Sequence, residues 1–188
     1  MRGCVYCVKM LEKPQGTEQT MNALIKPMET SAETDGKGYV HWKSWQETYT
    51  GLIDQHYLDT RSLERCIRTA HQWPDRILIA KDGEKVIGFT GYGPYRDDSL
   101  SDTGEIYALY VLQEYQHQGV GYALMNAAIQ QLAAYSRLAL WVLDGNEPAI
   151  RFYERCGFRF DGVSQELLLG TPVLERRMII ERNQLTKE

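Results

Sequence analysis

Apolar residues along the chain follow two periods. Short apolar runs or alternations at 23–28, 77–80, 86–92, 106–111, 138–143, 158–160 and 173–180 predict strands. The run at 138–143 is almost continuously apolar, which suits a strand covered on both faces. Asp82-Gly83 between two such runs predicts a hairpin. Helical spacing predicts a helix over 31–50, with Tyr39, Val40, Trp42, Trp45 and Tyr49 crowding one side. Gly51 to Asp54 break it, and Thr60 or Ser62 can cap a second helix running to Trp73, ahead of Pro74. A third helix follows Gly121, with Leu124, Ala127, Ala128 and Leu132 on one face. A fourth runs from Asn146 to Cys156, with Gly157 as its C-cap. The order predicts an α/β domain with a mixed sheet. Strands near Val111 and Val142, joined by the long helix, are expected to form a parallel crossover unit.

Composition narrows the class without naming it. The 188 residues suit one domain, and 43% hydrophobic with 24% charged residues is ordinary globular composition. A net charge of −4 gives no electrostatic reason to expect nucleic acid or an anionic membrane as a partner. No apolar run approaches the length of a membrane span and no signal core opens the chain, so the cytoplasm is expected. Residues 1–20 lack a period and read as an extension ahead of a domain at 21–188. Cys4 and Cys7 form a Cys-x-x-Cys pair that nothing completes into a zinc or redox site, while Cys66 and Cys156 read as core thiols on helices.

The most informative segment joins the strand ending at Val111 to the helix after Gly121. Its turn reads Gln116-His117-Gln118-Gly119-Val120-Gly121. A helix start presents unpaired N–H groups and a positive dipole end, which together seat a pyrophosphate. Side chains at Gly119 and Gly121 are expected to keep a phosphate from the backbone. A dinucleotide fingerprint is excluded because Leu124 stands at its third glycine, and a P-loop because Tyr122 and Ala123 follow Gly121.

Gln116-x-x-Gly119-x-Gly121, then Asn146, then Ala149-Ile150-Arg151-Phe152-Tyr153-Glu154-Arg155-Cys156-Gly157-Phe158, resembles the GNAT superfamily of acyl-CoA-dependent N-acyltransferases. The resemblance is strong over 103–162 and weaker from 22 to 182. It implies a mostly antiparallel mixed sheet with a central parallel pair and helices on both faces. It also implies acetyl-CoA as co-substrate, no metal, a primary amine as acceptor and, by analogy, a homodimer. The backbone of Leu109, Tyr110 and Val111 is expected to hold the pantetheine arm and meet the oxyanion. The amides of His117, Gln118, Gly119, Val120, Gly121 and Tyr122 would hold the pyrophosphate. Gln116 and Asn146 match the remaining cofactor positions, and Asn146 is also a plausible N-cap.

Catalytic roles follow from what amide formation needs. An amine near its ammonium pKa of about 10.4 must lose a proton, and the leaving thiolate must be met by a donor. Tyr153 matches the family's general acid. Glu105, eleven residues before Gln116, matches the base of the histone-acetylating branch. Strand alternation puts Glu105 on the side of Tyr107, Leu109 and Val111. In that role, Glu105→Gln lowers kcat by about ten- to ten-thousand-fold. The branch that acetylates protein N-termini carries its base where this chain has Trp141. Trp45 and Tyr49 are expected in the acceptor pocket. The stretch from Asn146 to Tyr153 with Gly157-Phe158 is similar to polyamine acetyltransferases, and Asp97, Asp98 and Asp102 could attract a polycation. The alternatives are a protein lysine or N-terminal acetyltransferase and a non-catalytic acetyl-CoA sensor.

Overall fold

The computed structural model describes residues 21–185, so the Cys4–Cys7 pair and the extension at 1–20 lie outside the described residues. Seven strands form one sheet in the order β1-β2-β3-β4-β5-β7-β6. They are β1 (Leu24–Pro27), β2 (Ile77–Asp82), β3 (Lys85–Pro94), β4 (Thr103–Val111), β5 (Arg137–Leu143), β6 (Arg159–Leu169) and β7 (Thr171–Glu181). Every pair is antiparallel except β4 and β5. The crossover between these two is α4 (Val120–Gln131), as expected.

Two apolar layers sandwich the sheet. On one face α1 (Ser31–Tyr49) lays Val40 against Ile79, Val86 and Phe89, with α2 (Gln55–Asp59) and α3 (Leu63–Gln72) alongside. On the other, α4 and α5 (Glu147–Arg155) pack Met125, Ala128, Ile129 and Ile150 against Ile106, Leu138, Leu140, Met178 and Ile180. Each fully buried aliphatic side chain here is worth about 1.5–3 kcal/mol of transfer free energy. Cys66 and Cys156 are buried free thiols within these layers. A short α6 (Arg182–Leu185) follows β7.

The start of α1 is the best-tied corner of the fold. Thr30 caps the backbone of Glu33, and the Glu33 carboxylate returns to the N–H groups of Thr30 at 3.2 Å and Glu29 at 3.0 Å. The same carboxylate takes Lys26 Nζ at 2.9 Å and Lys81 Nζ at 3.3 Å. Lys26 first, and the backbone N–H groups after it, bring the Glu33 carboxyl down to about 2. The folded value thus lies below the unfolded one of about 4.3, so the stabilisation is complete above the unfolded value and is lost as pH falls toward 2. Glu33→Gln is expected to lower Tm at pH 7 by several degrees. Calorimetry should find the gap from wild type closing as pH drops from about 5 toward 2.

Several local expectations change. The aromatics of α1 do not share one side: Tyr39 and Trp42 pair with each other at 6.0 Å, whereas Trp45 and Tyr49 face the cleft. On α4, Met125 and Ile129 are buried and Ala127 is only half-buried. The last two strands are longer than the apolar runs suggest, forming a hairpin turned at Gly170. Polar residues such as Ser164, Gln165 and Glu166 hide half of it, because an edge strand needs no continuous apolar signal.

The change with the largest consequence is a bulge in β4. Gly91 pairs with Ala108 but Tyr92 pairs with Ile106, so Tyr107 is an extra residue. It lies exposed, its hydroxyl donating to the Pro94 carbonyl at 3.0 Å. The extra residue resets the alternation. Ile106, Leu109 and Val111 face the α4 side, while Ala108 and Tyr110 face α1. Glu105, next to Ile106, falls in phase with Tyr110, not with Leu109 and Val111 as uninterrupted alternation implied.

Candidate active site

The site begins where β4 and β5 part. They pair only from Thr103–Arg137 to Ile106–Leu140, so Leu109, Tyr110 and Val111 have no strand beside them on the β5 side. Val111 and Val142, expected to be neighbours, sit beyond the last pairing, on the two arms of this opening. An opening between parallel strands offers unpaired backbone groups to an extended ligand arm.

After β4, a single 3-10 turn (Gln113–Tyr115) leads to the loop that starts α4. Gln116 donates its side-chain amide to the Val111 carbonyl at 3.1 Å, and Gln118 donates to the Glu114 carbonyl at 2.8 Å. These two side chains brace the loop rather than reach outward. His117 is exposed with φ 61, and Gly119 at the N-cap has φ 85, which glycine adopts without strain. The amides of Val120, Gly121 and Tyr122 form the first turn of α4 and have no acceptor within the helix. Gly121 has a packing reason besides the expected one. A methyl group there would lie 3.3 Å from the Phe152 ring, so the glycine lets α4 approach α5. Tyr122 turns inward, its hydroxyl accepting from Arg155 Nε at 3.3 Å and its ring edge-on to Phe152. What it offers outward is its amide. Asn146 caps α5, its Oδ1 accepting the Ala149 N–H at 3.4 Å.

A phenol stands on each face of the sheet, Tyr153 in the α4–α5 layer and Tyr110 on the α1 side. Tyr110 has a role that its backbone alone did not foretell. Its hydroxyl accepts from Trp45 Nε1 at 3.1 Å and lies 3.3 Å from the Tyr49 hydroxyl. Burial raises the Tyr153 phenol well above its ordinary value, and the Tyr110 phenol adds to the shift. Burial and Tyr110 likewise raise Tyr49, with Tyr153 also contributing.

The cleft on the α1 side is closed at one end. Trp45, Tyr49, Ile53, Leu58, Leu143, Leu169 and Val173 form one apolar cluster between the α1–α2 loop and the β6–β7 hairpin. A methyl on Gly170 would sit 2.5 Å from Asp54 Cβ, so hairpin and loop touch. Charged groups line the other end. Glu105 is 0% exposed and bound to Arg96 from several directions: Nε at 2.8 Å, the backbone N–H at 3.0 Å and Nη2. Arg177 donates to Asp161 at 2.7 Å and to the Tyr95 hydroxyl at 3.1 Å. Both guanidinium groups lie near the Trp141 ring, whose Nε1 is buried without a hydrogen-bond partner. Arg96, Arg177 and Glu175 escaped the sequence reading. For Glu175 and Arg177 the signal was the charged trio Glu175-Arg176-Arg177 inside a strand read as apolar.

A split mixed sheet whose parallel pair opens onto a helix N-terminus defines the class of acyl-CoA-dependent N-acyltransferases. Residues 39–158 match the acetyltransferase (GNAT) family, and the chain belongs to that family as an N-acetyltransferase. It is 34% identical over 122 residues to YuaI, an uncharacterized N-acetyltransferase of Bacillus subtilis, covering 61% of this chain and 68% of that protein. It is 32% identical over 83 residues to the spermine/spermidine N(1)-acetyltransferase of the same organism, 41% of this chain and 55% of that protein. The fold is shared with the PaiA N-acetyltransferase of Thermoplasma acidophilum, solved with coenzyme A, at a TM-score of 0.65 and 20% identity, covering 86% of this chain and 99% of that one. Among the described residues no helix is long and apolar enough to cross a membrane, and no cluster of side chains could hold a metal ion.

Proposed function

We propose that the protein transfers the acetyl group of acetyl-CoA to a primary amine that enters the cleft lined by Trp45, Tyr49 and Tyr110. The observation that carries this reading is the run of amides at the start of α4, which have no acceptor within the helix, together with the opened β4–β5 pair. The diphosphate of coenzyme A rests on the amides of residues 117–122, and the pantetheine arm follows the backbone of Leu109, Tyr110 and Val111. The thioester then lies beside Tyr153. A backbone N–H at the end of β4 meets the oxyanion, and the Tyr153 hydroxyl donates to the departing sulfur. Asn146 holds the start of α5, and with it the placement of Tyr153.

Glu105 is assigned a positioning role. The buried Glu105 carboxylate is turned to the Arg96 guanidinium and backbone N–H rather than to an incoming amine. It anchors Arg96 and the loop before β4, and the amine loses its proton to water. Glu105→Gln should therefore lower Tm, because Arg96 loses its counter-charge, while the shape of the pH–rate profile stays that of the wild type. A lost acidic limb in that profile would return Glu105 to the role of base.

Likeness to a spermine/spermidine acetyltransferase supports a small-molecule amine or polyamine acceptor. The deciding experiment is thiol release from acetyl-CoA against spermidine, spermine, simple monoamines, aminoglycosides and a lysine peptide. Turnover with a small amine supports the reading. Turnover confined to the peptide moves it to a protein acetyltransferase, and tight acetyl-CoA binding without turnover on any amine replaces it with a sensor.

A further inference from the structure

Three carboxylates line the cleft side of the split sheet, and two of them are neutralised. Glu105 is paired with Arg96 and Asp161 with Arg177. Glu175 forms no ion pair among the described residues; its Oε2 accepts only the Gln165 side-chain amide, at 3.0 Å. Its strand neighbour Arg176 turns to Asp144 at 3.3 Å and stacks on Phe160. A half-buried carboxylate with a neutral partner is a standing charge imbalance, favourable only where a cation arrives.

Register fixes where that charge points. Glu175 pairs with Leu143 on β5 and Gln165 on β6. Two residues before it, Val173 packs with Trp45, Tyr49 and Leu143. Two residues after it, Arg177 reaches Tyr95 beside Trp141. Strand alternation puts all three on the cleft face, with Glu175 between the aromatic wall and the charged end.

We propose that Glu175 receives the ammonium group of the acceptor and selects cationic acceptors over neutral ones of the same shape. Its charge is felt by the phenols of Tyr49 and Tyr110 and by Arg96, consistent with a carboxylate facing the middle of the cleft. One face of the Trp45 ring already carries the Arg61 guanidinium at 3.6 Å, so the preference for a cation rests on Glu175. Glu175 is thus a binding residue, and the ammonium proton leaves to water as the amine advances on the thioester.

This rests on the acetyl-transfer reading, and the test separates the two. The amine that turns over fastest in a panel of spermidine, tyramine, benzylamine and lysine methyl ester serves as probe, with its hydroxyl isostere as a competitive inhibitor. Glu175→Gln is expected to raise the KM for the amine by about 10- to 100-fold and to leave the KM for acetyl-CoA within about twofold. It should also reduce the preference for the amine over the isostere by a similar factor, which a purely structural role would not do. Glu175→Asp should recover part of the loss, and Glu166→Gln, an exposed carboxylate on the same hairpin, should change neither constant. Unchanged acetyl-CoA binding identifies a folded variant. Turnover with an unaltered amine KM in Glu175→Gln overturns this inference alone, whereas no turnover with any amine overturns both.

Discussion

Replacing Tyr153 by Phe is expected to lower kcat by about 100-fold while the KM for acetyl-CoA stays within about twofold of wild type. The substitution removes one hydroxyl and leaves the ring packed near Phe152 and Phe158, so the cofactor seat is undisturbed. Burial keeps the phenol protonated through the working range, which makes it a permanently loaded donor but a reluctant acid. Full transfer to a thiolate, whose own pKa is about 8.5, is uphill, so the contribution is a hydrogen bond that strengthens as negative charge gathers on sulfur. Two measurements follow from this. The wild-type rate should rise with pH as the acceptor amine deprotonates, with no fall attributable to Tyr153 below about pH 10. Acetyl thioesters with a more acidic leaving thiol, used as donors in place of acetyl-CoA, should lose less from Tyr153→Phe. Equal losses for all leaving groups would remove Tyr153 from the departure step.

Gly121→Val is expected to weaken acetyl-CoA binding by about 10- to 100-fold, read by titration calorimetry, with a smaller fall in Tm. A Cβ at this position would already stand 3.3 and 3.4 Å from two ring atoms of Phe152, and the two methyl groups of valine reach further. The first turn of α4 must then move away from α5, and the amides of Val120, Gly121 and Tyr122 turn with it. Several hydrogen bonds to one anion are lost together, which explains the size of the effect. Phe152→Leu in the same chain should restore part of the affinity by making room. An unaltered dissociation constant in Gly121→Val would mean that the diphosphate rests elsewhere.

The turn proposed as the cofactor seat was legible because it is local. The turn from Gln116 to Gly121 and the cap at Asn146 are built from bonds spanning five residues or fewer, so residue type at a fixed spacing nearly dictates them. The reason for Gly121 was not legible, since Phe152 lies on another helix. The acceptor side was the least visible. Tyr110 was expected to act through its backbone, yet its hydroxyl joins Trp45 and Tyr49 across 65 and 61 residues.

From the sequence alone come the order of strands and helices, the parallel crossover and the glycine-bearing turn that starts α4, because each is encoded by short-range periodicity or backbone chemistry. Only the folded chain decides which face each strand residue occupies once Tyr107 bulges out of register with β3, and hence that Glu105 is bound by Arg96. The tertiary structure likewise packs Val173, from the seventh strand and two residues before Glu175, with Trp45 and Tyr49 of the first helix. A bulge shifts every side chain beyond it by half a period, and sheet order sets which distant charges become neighbours; neither is written in any short stretch of the chain.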